Sequence, residues 1–367
     1  MSSTGRSRRE FKPFFVAIAW CLLLSFAVCA QSGGGFTITR SVVAGGGGQA
    51  SGGVYTLGGT VAQPLAGATS TGGSFELSSG FWGGGSAVAP KRAPCDFDAD
   101  GKTDFCIFRP SSGTWFVLKS QTGTADTFQF GQNGDIPLDA DFDGDLRNDF
   151  AVWRPSTGEW FYRRSSNGTF GGALWGSNGD VPVANDFDGD GITDLAVWRA
   201  SDGINYIVLS TASFLGVVWG IPGDIPSHAD FNGDGKADFA IFRPSAGRWY
   251  ILINGTGEFE ELGFGLNGDI PVRADFDGDQ KADIALFRPS VGEWYFRRSS
   301  NGTFGGIPWG ANGDRPVPGD YEGDGKTDFA LWRSTDGTNY IVLSSSSFLG
   351  VVWGSAGDIP VVGSPMP

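Results

Sequence analysis

A nine-residue acidic stretch recurs six times at an almost fixed interval, and that interval limits the folds open to this chain. Asp-Phe-Asp-Ala-Asp-Gly-Lys-Thr-Asp begins at Asp96, and related stretches begin at Asp141, Asp186, Asp230, Asp275 and Asp320. The steps are 45, 45, 44, 45 and 45 residues. Self-similarity at that period marks a repeat architecture, in which each unit buries its apolar faces against its neighbours.

The units read alike beyond the acidic stretch. An apolar run follows each one, at Phe105–Phe108, Phe150–Trp153, Leu195–Trp198, Phe239–Phe242, Ile284–Phe287 and Phe329–Trp332. An arginine ends each run: Arg109, Arg154, Arg199, Arg243, Arg288 and Arg333. A Ser/Gly turn leads to a second aromatic run, and a third run ends in Phe-Gly or Trp-Gly. Then comes Gly-Asp-x-Pro, as at Gly134-Asp135-Ile136-Pro137, and a short run into the next acidic stretch. Four short strands per unit, rich in aromatic and β-branched residues and without helical periodicity, predict an all-β fold. The runs are apolar on both faces, as sheets stacked between sheets require. The expected architecture is a six-bladed β-propeller of about 45-residue, four-stranded repeats spanning residues 91–367.

The two ends of the repeat region complement one another. Gly357-Asp358-Ile359-Pro360-Val361-Val362 repeats the strand that precedes each acidic stretch, but no stretch follows it. The first stretch lacks such a strand. The terminal segment is therefore expected to complete the first blade, closing the ring without a covalent bond and removing two exposed sheet edges. Near-copies 134 residues apart, such as Tyr162–Phe170 and Phe296–Phe304, divide the six units into two triplets.

The acidic stretches have the chemistry of calcium loops. Calcium takes six to eight hard oxygens, which a short loop can wrap about one point. Positions 1, 3, 5 and 9 supply side chains, position 7 a carbonyl, and glycine at position 6 permits a positive φ. The first three loops offer Asp96, Asp98, Asp100 and Asp104; Asp141, Asp143, Asp145 and Asp149; and Asp186, Asp188, Asp190 and Asp194. The last three offer Asp230, Asn232, Asp234 and Asp238; Asp275, Asp277, Asp279 and Asp283; and Asp320, Glu322, Asp324 and Asp328. Up to six Ca2+ ions are expected. Position 12 is apolar in every loop and no helix flanks it, which excludes an EF-hand. Leu146 and Gln280 replace the position-6 glycine, and loops two and five are expected to bind more weakly than loops one, three and six.

These loops, followed by Phe-Ala-Ile-Phe-type strands and Phe-Gly…Gly-Asp-Ile-Pro turns, resemble FG-GAP/VCBS repeats over residues 96–363. The resemblance implies a calcium-bearing propeller of the kind seen in integrin α-subunits and in bacterial surface proteins. It implies no single activity. Its members include adhesion and sugar-binding modules and non-catalytic parts of exported proteins.

Residues 1–30 read as a signal peptide: a basic head at Arg6, Arg8, Arg9 and Lys12, an uncharged apolar run from Phe14 to Val28, and Val28-Cys29-Ala30 at the cleavage point. Ser7 to Lys12 also resembles a twin-arginine signal, so both export routes stay open. Residues 31–90 form a Gly/Ser/Thr-rich segment and linker with β-like runs at Phe36–Val43, Val54–Val61 and Phe75–Trp82, read as a spacer, with an extra blade as the alternative. No later stretch is apolar enough for a membrane span. Removing the leader takes the net charge from −14 to −17. The loop positions hold 23 of the remaining 39 carboxylates, so the acidity is metal-site chemistry, and nucleic acid is disfavoured as a partner. Cys95 and Cys106 flank the first loop, and an exported compartment permits a disulfide between them.

Catalysis has little to stand on. His228 is the sole histidine, follows Ser227, and reads as part of a surface turn. The six Gly-Asp aspartates (Asp135, Asp180, Asp224, Asp269, Asp314, Asp358) and the six strand-end arginines recur in every unit, which predicts structural pairing. Trp115, Trp160, Trp249 and Trp294, with Asn205 and Asn339 in their place in two units, are read as core, with sugar stacking as the alternative for any exposed one. The expectation is a secreted or surface-located, monomeric, non-catalytic module that binds an extracellular protein or glycan. A passive structural module of the envelope or matrix is the alternative, and a polysaccharide-active enzyme a lesser one. Unequal residues on one face of the ring would favour binding; near-identical faces would favour a scaffold.

Overall fold

The computed structural model describes residues 92–362 throughout. Before them it describes three antiparallel strand pairs: Ser32–Gly33 with Phe36–Thr37, Gly48–Gly52 with Tyr55–Gly59, and Thr69–Gly72 with Phe75–Ser78. The expected signal peptide and its export route lie outside the described residues. The chain divides into two compact units, Met1–Ser86 and Ala87–Pro367.

Residues 92–362 form six four-stranded antiparallel sheets, the blades of a propeller, with no helix among the described residues. Blade two shows the plan: an innermost strand Ile136–Leu138, then Phe150–Arg154, Glu159–Arg163 and an outermost strand Phe170–Leu174. Blade one takes its innermost strand from the far end of the chain. Ile359–Pro360 pairs with Phe105–Arg109, placing Ile359 opposite Phe108 and Pro360 opposite Ile107. The ring closes through the terminal segment, as the mismatched ends of the repeat region require.

The second strand of each blade lies in the interior, which is why it reads apolar on both faces. Its three central residues are buried, as Ala151, Val152 and Trp153 are in blade two. Exposure increases outward, and the outermost strands carry Phe170, Phe214, Phe259, Phe304 and Phe348 on their open side. Each of these rings leans on the Phe or Trp that ends the preceding blade: Phe130 with Phe170, Trp175 with Phe214, Trp219 with Phe259, Phe264 with Phe304, and Trp309 with Phe348. Blade one has Ala125 in that position.

The tryptophans of the third strand are core. Trp115, Trp160, Trp249 and Trp294 are fully buried, which removes them as sugar-stacking platforms. Burying such a side chain contributes on the order of 2–3 kcal/mol. The register explains the two asparagines. Phe108 stands opposite Trp115, Phe242 opposite Trp249 and Phe287 opposite Trp294. In blades three and six the pair is reversed in size, with Trp198 opposite Asn205 and Trp332 opposite Asn339. The indole that fills the blade comes from either strand.

Every strand-end arginine pairs with the Gly-Asp aspartate of its own blade. Arg109–Asp358, Arg154–Asp135, Arg199–Asp180, Arg243–Asp224, Arg288–Asp269 and Arg333–Asp314 are all two-pronged, at 2.7 to 2.9 Å. Each guanidinium also lies over an aromatic ring of the third strand, Phe116, Phe161, Tyr206, Tyr250, Tyr295 or Tyr340. The aspartates are buried, so an arginine that can bond both oxygens at once is what makes their burial tolerable.

His228 departs from expectation. It is buried, not part of a surface turn. Its Nε2 lies 2.7 Å from Asn205 Oδ1, and its Nδ1 accepts the Ala240 N–H at 3.0 Å, so the neutral Nε2–H tautomer fits. Asn205, standing where four other blades hold tryptophan, is the partner that draws the imidazole inward.

Candidate metal centres

Each acidic loop leads into the second strand of its blade, from that blade's innermost strand in blades two to six, and is organised by two of its own carboxylates. In loop one, Asp96 Oδ1 accepts the N–H groups of Asp98 and Ala99 and Oδ2 that of Gly101, at 2.6 to 3.2 Å. Asp104 Oδ2 accepts the Phe97 N–H at 2.8 Å and Oδ1 the Ser120 N–H at 2.6 Å. Ser120 opens the turn between the third and outermost strands, so the ninth position ties the loop to a distant hairpin of the same blade. Ser165, Asn254, Ser299 and Ser344 repeat this contact with Asp149, Asp238, Asp283 and Asp328, and Ser210 with Asp194. The serine hydroxyls reach the fifth position as well, as in Ser120 to Asp100 and Ser165 to Asp145. Sequence reasoning missed these serines. Their signal was a Ser or Asn always 16 residues beyond the ninth aspartate.

The loops hold one another. The first-position carbonyl of each accepts the eighth-position N–H of the next: Asp96 from Asn148, Asp141 from Thr193, Asp186 from Ala237, Asp230 from Ala282, Asp275 from Thr327, and Asp320 from Thr103. These bonds are 2.5 to 2.7 Å long and run once around the ring.

Position 3 divides the loops. One oxygen each from Asp96, Asp98 and Asp104 lies within 4.8 Å of the others, and the same holds for Asp141, Asp143 and Asp149, for Asp186, Asp188 and Asp194, and for Asp275, Asp277 and Asp279. In those four loops the third-position Oδ1 (Asp98, Asp143, Asp188, Asp277) is buried with no hydrogen-bond partner. A buried carboxylate oxygen without a donor is costly unless a cation sits beside it. In loop four, Asn232 instead bonds Asp234. In loop six, Glu322 reaches out to Ser344 and Ser345.

Burial pushes the ninth-position carboxyls Asp104, Asp149, Asp194, Asp238 and Asp328 up to about 6, against the hydrogen bonds that favour their charge. Asp96, Asp141, Asp186 and Asp283 are raised by burial too. Desolvated, mutually repelling and hard-oxygen, this donor set fits a divalent calcium-like ion. The first, third and ninth side chains of loops one to three, and the first, third and fifth of loop five, would hold it, and the ion would supply the charge that offsets their repulsion.

Leu146 and Gln280 do adopt positive φ, 67° and 71°, yet their N–H groups still donate to Asp141 and Asp275 at 2.8 Å. A Cβ built on Gly101, Gly191, Gly235 or Gly325 meets nothing within 4 Å, so a side chain at position 6 costs backbone strain without a clash. The geometry thus separates loops by position 3, where the sequence directed attention to position 6.

Solved structures with similar backbones include TolB from Acinetobacter baumannii (16% identity, TM-score 0.49, covering 70% of this chain and 66% of that one). A streptogramin B lyase is 10% identical with a TM-score of 0.47, covering 73% and 85%. An Agrocybe aegerita lectin that recognises non-reducing terminal N-acetylglucosamine is 14% identical with a TM-score of 0.46, covering 68% and 75%. Likeness at this level says nothing of what this chain binds. No curated protein sequence matches. The FG-GAP-like repeat family matches residues 230–286 and 275–331, each span running from one acidic loop into the second strand beyond the next. Residues 92–362 form a six-bladed β-propeller in which residues 230–331 match the FG-GAP-like repeat family.

Proposed function

We propose that this chain is an exported, calcium-stabilised binding module, acting outside the cell on a protein or glycan without catalysing its conversion. The observation that carries the metal half is the set of four buried, donorless third-position oxygens. The binding half is supported by inequality among the blades. The residue after the innermost strand's Pro-x differs from blade to blade (Asp139, Ala184, His228, Arg273, Pro318 and Val362), and four of the six, Asp139, Ala184, His228 and Arg273, line one pocket. The six Asp–Arg clasps, by contrast, are the same in every blade. A pocket lined by residues that differ between blades is where one partner can be told from another. Both nitrogens of His228 are engaged by Asn205 and Ala240, which leaves the ring without a proton-transfer role. Export also places Cys95 and Cys106 where a disulfide is permitted.

The test is a glycan array and an extracellular-protein capture on the mature chain, each with calcium and with chelator, alongside R273A. Selective binding that is lost in chelator and weakened by R273A is the expected result. A folded, calcium-loaded protein that binds nothing in either screen would move the reading to a passive structural module.

A further inference from the structure

Two sulfurs meet at the one place where the ring is not covalently continuous. Cys95 and Cys106 occupy positions that hold Ala140 and Ala151 in blade two, Asn185 and Ala196 in blade three, Ala229 and Ala240 in blade four, Ala274 and Ala285 in blade five, and Gly319 and Ala330 in blade six. Only blade one has cysteine at either, and only blade one borrows its innermost strand. Both cysteines are free thiols, buried, and packed in the same core cluster. The Cys106 carbonyl accepts the N–H of Val361 from the borrowed strand at 3.1 Å, and Val361 and Val362 share a core cluster with both sulfurs. The Cys95 carbonyl accepts the Asp104 N–H, and its N–H donates to Asp139 of blade two at 3.0 Å. Cys95 keeps this place at φ 53°, a conformation unusual for a side-chain-bearing residue.

We propose that Cys95 and Cys106 form a disulfide that staples the seam of the ring, fixing the segment that leads into loop one onto the strand that receives the chain terminus. The oxidant is a disulfide of the exported compartment, small-molecule or protein. One cysteine thiolate attacks the acceptor disulfide, giving a mixed disulfide and one acceptor thiol. The other cysteine then attacks the mixed disulfide, forming the Cys95–Cys106 bond and releasing the second acceptor thiol. Two protein thiols are oxidised and one acceptor disulfide is reduced. With the terminal strand seated, both sulfurs are shielded, so oxidation belongs to the moments before seating or during opening of the seam. The inference leans on the export reading only for the source of oxidant; the test supplies its own.

The full chain is equilibrated with oxidised glutathione, unfolded in alkylating reagent without reductant, and weighed. The expected mass lacks two hydrogens, with neither Cys95 nor Cys106 alkylated. Reductant should lower the melting temperature of the wild type by roughly 5–10 °C and leave C95A/C106A unchanged. That variant reproduces the Ala–Ala pair already present in blades two, four and five, so folding is expected. In the reduced protein, D358N should speed thiol labelling, whereas the matched D314N in blade six should not. Two free thiols after equilibration, equal sensitivity of wild type and double variant to reductant, or labelling indifferent to D358N would each overturn the staple. Absence of calcium binding would leave it untouched.

Discussion

Arg109 and Asp358, 249 residues apart, join the two ends of the propeller by a two-pronged ion pair at 2.7 and 2.8 Å. The same clasp occurs in five other blades over 19 residues, where the chain itself keeps the partners close. At the seam the clasp, three backbone positions, the Thr103 N–H to Asp320 carbonyl bond, the Trp353 indole N–H to the Phe116 carbonyl and the surrounding apolar packing do so.

Removing Arg109 leaves the Asp358 carboxylate buried and half-satisfied. The expected cost of R109Q is about 2–3 kcal/mol, below the range for a wholly buried pair because Arg109 is partly solvated. R154Q, within a continuous blade, should cost less, since the innermost strand stays tethered. Chemical denaturation of the two variants side by side checks the order. Equal losses would mean that the seam is no weaker than any other blade.

Calcium affinity should follow position 3. A terbium or calorimetric titration is expected to resolve a tighter class from loops one, two, three and five and a weaker class from loops four and six. N232D should move loop four into the tighter class, and D188N should cost loop three roughly tenfold or more in affinity. A split that instead separates loops two and five from the rest would show that strain at Leu146 and Gln280 outweighs the third carboxylate.

The loops are hydrogen-bonded head to tail, so neighbours should feel one another. With loop three disabled by D188N, sites in loops two and four are expected to weaken by about fivefold, a coupling near 1 kcal/mol. Residue-resolved metal titration by NMR measures this directly, and unchanged neighbours would mean that the ring of bonds transmits nothing.

Two glycines that both adopt positive φ should differ sharply. Gly203 has φ +70°, and a Cβ there would lie 2.1 Å from the Gly220 carbonyl oxygen. Gly191 has φ +84° and open space. G191A should cost about 1 kcal/mol of strain, and G203A about 3 kcal/mol or more from strain plus overpacking. Thermal melts of both variants decide it.

His228 is held neutral. Burial lowers its pKa to about 3, with the nearby Arg273 charge acting in the same direction. The sign follows from the lowered value. The folded state binds this proton less readily than the unfolded chain, whose histidine titrates near 6.5. Its contribution to stability is complete above pH 6.5 and is lost as the pH falls from there toward 3. As the sole histidine, it gives one imidazole signal, which should not titrate between pH 8 and 5. An ordinary midpoint near 6.5 would place the ring in solvent.

The sequence by itself determined the repeat, the number of blades, the strand borrowed from the terminus and the identity of the loop carboxylates. All of these are written as period and residue type, which survive without coordinates. The pairing of Asp358 with Arg109 was legible as repetition, since a polar pair present in every unit answers a need that every unit has. Tertiary structure decided what depends on residues far apart in the chain. Ser120 reaches Asp104 only because a blade folds its third strand back beside its loop. Asp98 and Glu322 share a loop position, yet one turns inward and the other bonds the serines of its own hairpin. His228 looked like turn chemistry until Asn205, on the neighbouring blade and small where other blades have tryptophan, offered a buried partner. Side-chain length and the neighbour across a blade interface settle these outcomes, and neither is carried by local sequence.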